Sequence, residues 1–224
     1  VNLGWGVFNV EKALSVICGG VKVKAGNDAN VAALGEMWQG GGKGYEDVVM
    51  ITLGTGVGGG IILAGTNGAA GEIGHMPMID DESECCGCGK KGCLEQYASA
   101  NGLVNVAEKY IAAHRTVETE LNLNAGFTAK DVCDAAKAGD KAGLAAVEES
   151  MRLLGKAMAS VSCVIDPQVF VVGGGLSKAG NIIIDTASKY YKEYAFHASR
   201  ETEIKLATLG NAAGMYGGVK MVIG

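Results

Sequence analysis

The sequence predicts an α/β fold, because short apolar runs of strand type alternate along the chain with segments of helical periodicity. Residues 48–53 and 169–172 are rich in β-branched side chains and are bounded by turn residues, as buried strands are. The longest helical pattern covers residues 141–164. A chain of 224 residues with 48% hydrophobic side chains can bury a sizeable core around such elements.

Composition and charge exclude several classes of protein. Charged residues make up 19% of the chain, a balance typical of globular and not of disordered proteins. The net charge is −5 and no dense Lys/Arg run occurs, which argues against a nucleic-acid partner. No apolar run approaches the roughly 20 residues of a membrane helix. The seven cysteines, four of them close together, suit a reducing cytoplasm.

The first predicted elements are a helix over residues 10–18, a short strand over residues 21–25 and a second helix that begins after Asn27-Asp28. The strand is predicted because Val and Ala alternate with Lys. Asp28 then lies between a strand and a helix, a position that faces a crevice at the carboxyl end of a sheet. On the residues alone, a helix N-cap is the favoured role for Asn27 or Asp28.

Two glycine-rich segments follow predicted strands. The first, Gly54-Thr55-Gly56-Val57-Gly58-Gly59, is predicted as a loop between the strand at 48–53 and a second strand at 60–63. It lacks the Gly-Lys-Ser/Thr ending of a Walker A loop, and no helix follows it as in a dinucleotide fingerprint. Its backbone N–H groups could bind an anion, although an ordinary glycine-rich hairpin explains it equally well. The second segment, Gly173-Gly174-Gly175, separates a strand from a helix and could form a nucleotide wall.

The rest of the chain is predicted to be mainly helical. One long helix covers residues 95–113, and Thr128-x-x-Asp131 is predicted to open another through a capping box. A last strand covers residues 203–207. The terminal helix, residues 211–222, is rich in small residues, which lets another element approach closely.

One histidine and three cysteines form a candidate metal site with a compact Cys-x-Cys-x4-Cys spacing: His75, Cys86, Cys88 and Cys93. These ligand types suit tetrahedral zinc, and four of them leave no open position, so the predicted metal is structural. Free thiols or a disulfide pair are the alternatives, and the neighbouring Cys85 leaves the ligand assignment open. Two carboxylates, Glu72 and Glu95, flank the ligand set.

The pattern Glu-x-Gly-His followed by Cys-x-Cys-Gly-x-x-Gly-Cys-x-Glu resembles the signature of ROK proteins (repressors, open reading frames, sugar kinases). Over nearly all its length the chain resembles the glucokinase branch. The resemblance implies an actin-like ATPase (ribonuclease H-like) fold, mostly the larger C-terminal domain with a zinc-bound loop. It implies a remnant of the N-terminal domain and hinge at 1–28, a C-terminal sugar kinase domain at 29–209 and a terminal helix at 210–224 that packs on the missing N-terminal domain. Related kinases carry Asp-x-Gly-Gly-Thr, which does not occur here, so we expect a fragment.

The resemblance implies ATP-dependent phosphorylation of a hexose, with glucose as the favoured substrate, and the use of Mg²⁺ and a structural Zn²⁺. Asp28 would be the general base, and the sugar contacts would be Asn27, Asp28, Glu72, His75 and Glu95. The nucleotide contacts would be Gly54, Thr55, Gly56, Gly58, Gly59, Gly173, Gly174 and Gly175. We expect a cytoplasmic homodimer or homotetramer without nucleic-acid or membrane partners. The alternatives are the sugar-sensing domain of a ROK repressor and a kinase for mannose, fructose or an N-acetylhexosamine.

Overall fold

The computed structural model describes residues 8–67 and 71–224, and within these ranges five strands form one mixed sheet. The strands are β1 (Val48–Leu53), β2 (Val57–Leu63), β3 (Thr66–Asn67), β4 (Val169–Gly173) and β5 (Glu203–Leu206). Their order across the sheet is β3-β2-β1-β4-β5. The central strand β1 pairs antiparallel with β2 and parallel with β4, and β4 pairs parallel with β5. The two apolar runs that predict buried strands are therefore neighbours.

The helices of the described ranges are α1 (Val10–Ile17), α2 (Asp28–Gln39), α3 (Glu95–Ala98), α4 (Ala100–Ala113), α5 (Ala129–Lys137), α6 (Lys141–Ile165), α7 (Asn181–Tyr194) and α8 (Ala213–Ile223). Short 3-10 turns occur at Ile73–His75, Leu176–Ala179 and Gly210–Ala212. None of the helices in these ranges has both the length and the apolar composition needed to cross a bilayer.

The sheet has helices on both faces. Val49, Ile51 and Leu53 of β1 pack into a large core with residues of α3 to α7, whereas Val48 and Met50 pack against α2 on the other face. Successive strand residues point to opposite faces, so a strand covered on both faces buries apolar side chains in both directions. This arrangement explains why β1 and β4 are almost entirely apolar, with Thr52 as the polar residue of β1.

Small residues bring α2 and α8 into close contact. A Cβ atom added to Gly35 would lie 2.0 Å from the carbonyl oxygen of Ala213, and one added to Gly217 would lie 1.7 Å from that of Val31. The small residues of the terminal helix therefore do allow a close approach, and α2 is the element that approaches.

Two predicted elements are wrong in detail. Residues 21–25 form no strand in the described structure: they pair with none of its five strands, and Val21 is exposed instead of packing against the sheet. The predicted helix at 95–113 is broken at Ser99, whose backbone is extended (φ −82°, ψ 172°). The Ser99 hydroxyl oxygen accepts a hydrogen bond from the Gly102 N–H at 2.9 Å and so caps a new helix. Helical periodicity continues across such a break and does not reveal it.

Candidate active site

The two glycine segments meet at one edge of the sheet. Since β1 and β4 are parallel neighbours, the residues that follow them lie side by side. Gly174 has a φ of 90°, and a Cβ atom there would lie 2.4 Å from the carbonyl oxygen of Leu53. Only glycine fits this close, left-handed position. The carboxyl ends of parallel strands are where open α/β sheets bind ligands.

The turn between β1 and β2 has only three residues, 54–56, and is tied to the start of α4. The Gly54 N–H donates a hydrogen bond to the Gly56 carbonyl at 3.0 Å. The Gly54 carbonyl in turn accepts one from the Ala100 N–H at 2.8 Å. One hydrogen bond thus closes the turn, and the other attaches it to the start of α4.

Gly58 and Gly59 lie in β2 and not in the loop, contrary to prediction. A Cβ atom on Gly59 would lie 2.3 Å from the carbonyl oxygen of Gly71, and one on Gly60 would lie 2.6 Å from the Ala33 Cβ of α2. The missing side chains of Gly59 and Gly60 are therefore explained by close packing around the strand.

A cavity of about 630 Å³ opens at this edge of the sheet and brings together most of the predicted sugar and nucleotide contacts. We call it the glycine cavity. The predicted base Asp28 and the predicted sugar contact Glu95 both line it. So do six of the predicted nucleotide contacts: Gly54, Thr55, Gly56, Gly58, Gly174 and Gly175. The other two, Gly59 and Gly173, lie within β2 and β4 and do not line it.

Asn27 and Asp28 have different roles at the start of α2. The Asn27 side-chain oxygen accepts hydrogen bonds from the N–H groups of Ala29 at 3.0 Å and Asn30 at 3.2 Å, so Asn27 is the N-cap. Asp28 is the first residue of α2, and its exposed side chain lines the glycine cavity. The cap role that the sequence allows for either residue thus belongs to Asn27, and Asp28 is the carboxylate at the cavity.

Glu95 connects the glycine cavity to the cysteine cluster. Its Oε1 lies 2.8 Å from the Cys86 Sγ and 3.7 Å from the His75 Nδ1. Its Oε2 occupies space beside Gly56, where a Cβ atom would lie only 2.7 Å away. Only 23% of the Glu95 side chain is exposed, and these contacts define the position of its carboxylate between the cysteine cluster and the turn.

Glu72 and His75 lie beyond Glu95 and outside the cavity wall. The His75 Nε2 is 3.9 Å from the Glu72 Oε2, and the Glu72 side chain is 81% exposed. The three side chains form a polar row, Glu72–His75–Glu95, which reaches the glycine cavity at Glu95.

The four predicted metal ligands converge, with all their ligand atoms within 4.8 Å of one another. The Cys88 and Cys93 sulfurs are 3.6 Å apart, and the Cys86 sulfur is 3.7 Å from the His75 Nδ1. Neighbouring ligand atoms of a tetrahedral zinc are roughly 3.5–3.8 Å apart, given Zn–S near 2.3 Å and Zn–N near 2.05 Å. The donor set therefore fits zinc.

The alternatives to a metal site fit less well. A disulfide needs sulfurs about 2.05 Å apart, and the cysteines of the described chain are all free. Cys85 is exposed and lies outside this group, so the ligand set that we propose stays His75, Cys86, Cys88 and Cys93. Burial raises the pKa of the Cys86 thiol to about 12. A metal ion would oppose this, because a coordinating thiol is deprotonated.

Glu36 is a residue of this region that the sequence analysis missed. It is fully buried, and its carboxylate accepts hydrogen bonds from the N–H groups of Gly41 (2.8 Å), Thr208 (3.0 Å) and Leu209 (2.8 Å). Asp28, Ala32 and Glu36 recur every four residues, and all three line the glycine cavity. This spacing, which places Glu36 on the same face of α2 as Asp28, is the sequence feature that could have identified Glu36.

Comparison with known proteins shows the family of the chain. The ROK family model matches residues 1–224. The chain belongs to the ROK family. A glucokinase of Halalkalibacterium halodurans is 42% identical over 226 residues, which cover 97% of this chain and 68% of that enzyme. This ROK chain thus spans about two thirds of the length of that relative.

Solved ROK structures share the fold. The glucokinase of Streptomyces griseus in complex with glucose and AMPPNP superimposes with a TM-score of 0.78 and 33% identity, covering 95% of this chain and 71% of that one. A ROK family transcriptional regulator, a homologue of the E. coli MLC protein, gives a TM-score of 0.82 at 25% identity, covering 96% and 55%. The predicted fold class, the actin-like ATPase fold, is confirmed by these likenesses.

Proposed function

We propose that the protein transfers the γ-phosphoryl group of ATP to a hexose, with glucose as the favoured substrate and glucose 6-phosphate as the product. One observation carries the proposal: two carboxylates, Asp28 and Glu95, share a cavity with both glycine segments. Sugar hydroxyls are recognised by carboxylate acceptors, and phosphates by backbone N–H groups in glycine turns. The 42% identical relative named a glucokinase supports the same reaction.

Asp28 would act as the general base. Its carboxylate accepts the proton of the sugar hydroxyl while that oxygen attacks the γ-phosphorus atom, and ADP leaves. Phosphoryl transfer has a largely dissociative transition state, so orienting the hydroxyl matters more than the strength of the base. Magnesium, when bound with ATP, neutralises phosphate charge, and the cavity carboxylates are oxygen donors of the kind that Mg²⁺ accepts.

Glu95 would accept hydrogen bonds from sugar hydroxyls at the cavity, with His75, Glu72 and Asn27 as further contacts at its rim. The phosphates would contact the turn at 54–56. We assign the Thr55 and Gly56 N–H groups as the donors to phosphate, because the Gly54 N–H already donates within the turn. Gly174 and Gly175 would form the opposite wall.

The zinc would be structural and held by His75, Cys86, Cys88 and Cys93. Its contribution to the reaction is indirect, because it would fix the segment that carries His75 and contacts Glu95. Free thiols in this cluster accord with a reducing cytoplasm, where we place the protein. We also propose a homodimer or homotetramer that needs neither nucleic acid nor a membrane.

The domain division at 1–28, 29–209 and 210–224 stays a proposal. Two surfaces accord with packing against a further domain. Helix α1 buries none of its residues, and α8 exposes Met215, Val219 and Ile223 on the side away from α2. Limited proteolysis of the full-length protein tests the division, which predicts cleavage near residue 28.

The second candidate is a sugar-sensing domain without catalysis, which the likeness to the ROK transcriptional regulator supports. Asp28 at the cavity favours the kinase, since a sensor needs no base. A kinase acting on mannose, fructose or an N-acetylhexosamine uses the same groups and differs in pocket shape.

The deciding experiment measures sugar-dependent ADP release by the full-length protein with glucose, mannose, fructose and N-acetylglucosamine. We expect activity with glucose, and a loss of about 10²–10⁴-fold in Asp28→Asn with glucose binding retained. Asp185→Asn, which changes an exposed carboxylate of α7, is the matched control and should keep full activity. Binding of a sugar without ADP release would favour the sensor.

A further inference from the structure

A second cavity, of about 720 Å³, adjoins the glycine cavity. Much of its wall is apolar, with Val104, Phe127 and Leu176 among the lining residues, and we call it the apolar cavity. Gly175 and Lys178 line both cavities, so they mark the border between them.

Lys178 stands out by its charge. The glycine cavity is lined by three carboxylates, those of Asp28, Glu36 and Glu95, and Lys178 is the one cation among its lining residues in the described chain. Lys178 forms no ion pair within residues 8–67 and 71–224. By contrast, the two other lysines of the apolar cavity, Lys130 and Lys137, both pair with Asp134.

The backbone that carries Lys178 is fixed. The Lys178 N–H donates to the Gly175 carbonyl at 3.3 Å, and the Ser177 hydroxyl donates to the Gly174 carbonyl at 2.8 Å. Leu176 is buried in the main core. The side chain of Lys178 is exposed, so an unpaired ammonium group extends from a rigid turn at the border of the two cavities.

A nucleotide matches this pair of cavities, because it has a largely apolar base at one end and anionic phosphates at the other. Phosphates that enter a cavity lined by three carboxylates need a compensating cation, and lysine binds phosphate as a point charge. We propose that Lys178 binds the α- or β-phosphate of the nucleotide, with the nucleoside in the apolar cavity and the γ-phosphate toward Asp28. This inference rests on the proposed function and adds a phosphate-binding residue outside the glycine segments.

The test compares ATP kinetics and ADP binding in wild-type, Lys178→Met and Lys178→Arg forms of the full-length protein. Lys178→Met should raise the KM for ATP and the Kd for MgADP by about tenfold or more, as expected for a lost charged hydrogen bond. The KM for the sugar and the Kd for adenosine should stay within twofold. Lys178→Arg should restore most of the nucleotide affinity, because it keeps the charge.

Lys156→Met is the control, since Lys156 is an exposed residue of α6 that lines neither cavity. An unchanged ATP KM and ADP Kd in Lys178→Met would overturn the inference. Equal weakening of adenosine and ADP would also overturn it, because that pattern means altered packing and not a lost phosphate contact. A wild-type protein that binds ADP but phosphorylates no hexose would refute the proposed function alone, whereas one that binds no ADP would refute both.

Discussion

The Cys86 sulfur lies 2.8 Å from the Glu95 Oε1, and this contact joins the cysteine cluster to the glycine cavity. The other oxygen of Glu95 lies beside Gly56 in the turn after β1. A change at the cluster therefore reaches the cavity through one side chain. We therefore expect any effect of the proposed metal on sugar binding to act through Glu95.

Removing the metal should destabilise the protein. Structural zinc in this class of site contributes on the order of 10 kcal/mol to folding. A strong chelator should lower the melting temperature by at least about 10 °C, since 1 kcal/mol corresponds to about 2–4 °C for a chain of this size. Metal content and thermal unfolding are measured on the same samples. Metal-free protein with an unchanged melting temperature would show that the cluster has no structural role.

A pair of cysteine variants tests the ligand assignment. Cys88→Ser removes a ligand and should abolish stoichiometric zinc binding, whereas Cys85→Ser changes an exposed thiol outside the cluster and should leave it intact. Zinc content of the purified proteins is the measurement. Loss of zinc from the Cys85 variant alone would overturn the assignment.

Gly56→Ala should impair sugar use with little loss of stability. The added Cβ would lie 2.7 Å from the Glu95 Oε2, the far end of a flexible side chain, so the carboxylate can move away at small cost. We expect kcat/KM for the sugar to fall by about tenfold, as for a misplaced hydrogen-bonding group. The control is Gly218→Ala in α8, where a Cβ atom would meet open space. Unchanged kinetics in Gly56→Ala would mean that the position of Glu95 does not matter.

Glu36→Gln should destabilise the fold by about 2–3 kcal/mol, because a buried carboxylate that accepts three N–H groups becomes an amide with only one acceptor atom. The melting temperature should fall by about 4–12 °C. Glu108→Gln, an exposed residue of α4, is the matched control and should change little. Equal stability of the two variants would refute the role of Glu36 in holding the loop at 208–209.

The Glu82 carboxylate should make stability depend on acid pH. The Tyr97 hydroxyl and the Glu84 backbone N–H donate to it, and together with Lys109 they lower its pKa from 4.5 to about 2. A lowered pKa stabilises the fold above the unfolded value, here by about 3 kcal/mol, and this contribution is lost as the pH falls from about 5 toward 2.

The measurement compares the free energy of unfolding of wild type and Glu82→Gln between pH 7 and pH 2. The difference should be greatest at neutral pH and should shrink steadily below about pH 5. A difference that stays constant over this range would mean that ionisation of Glu82 contributes nothing to stability.

The strands β1, β2, β4 and β5, the α/β fold class and the proposed metal ligands could be predicted from the sequence because their signals are local. Residues 169–172 are apolar at every position and residues 48–53 at every position but Thr52, which follows from strands with both faces covered. The four metal ligands lie between residues 75 and 93, so their spacing alone brings them near one another. The break at Ser99 was missed because helical periodicity continues across it.

What the sequence by itself determined is the set of chemical groups: the buried strands, the glycines that follow them, and the histidine and cysteines of the metal site. Only the tertiary structure decided which groups share a cavity. The parallel pairing of β1 with β4 places Leu53 beside Gly174, and the folded chain brings Glu36 to Leu209 and Lys178 to the border of two cavities. The β1–β4 contact and the Glu36–Leu209 contact each join residues more than 100 positions apart, and such contacts arise from chain topology, which a local pattern does not encode.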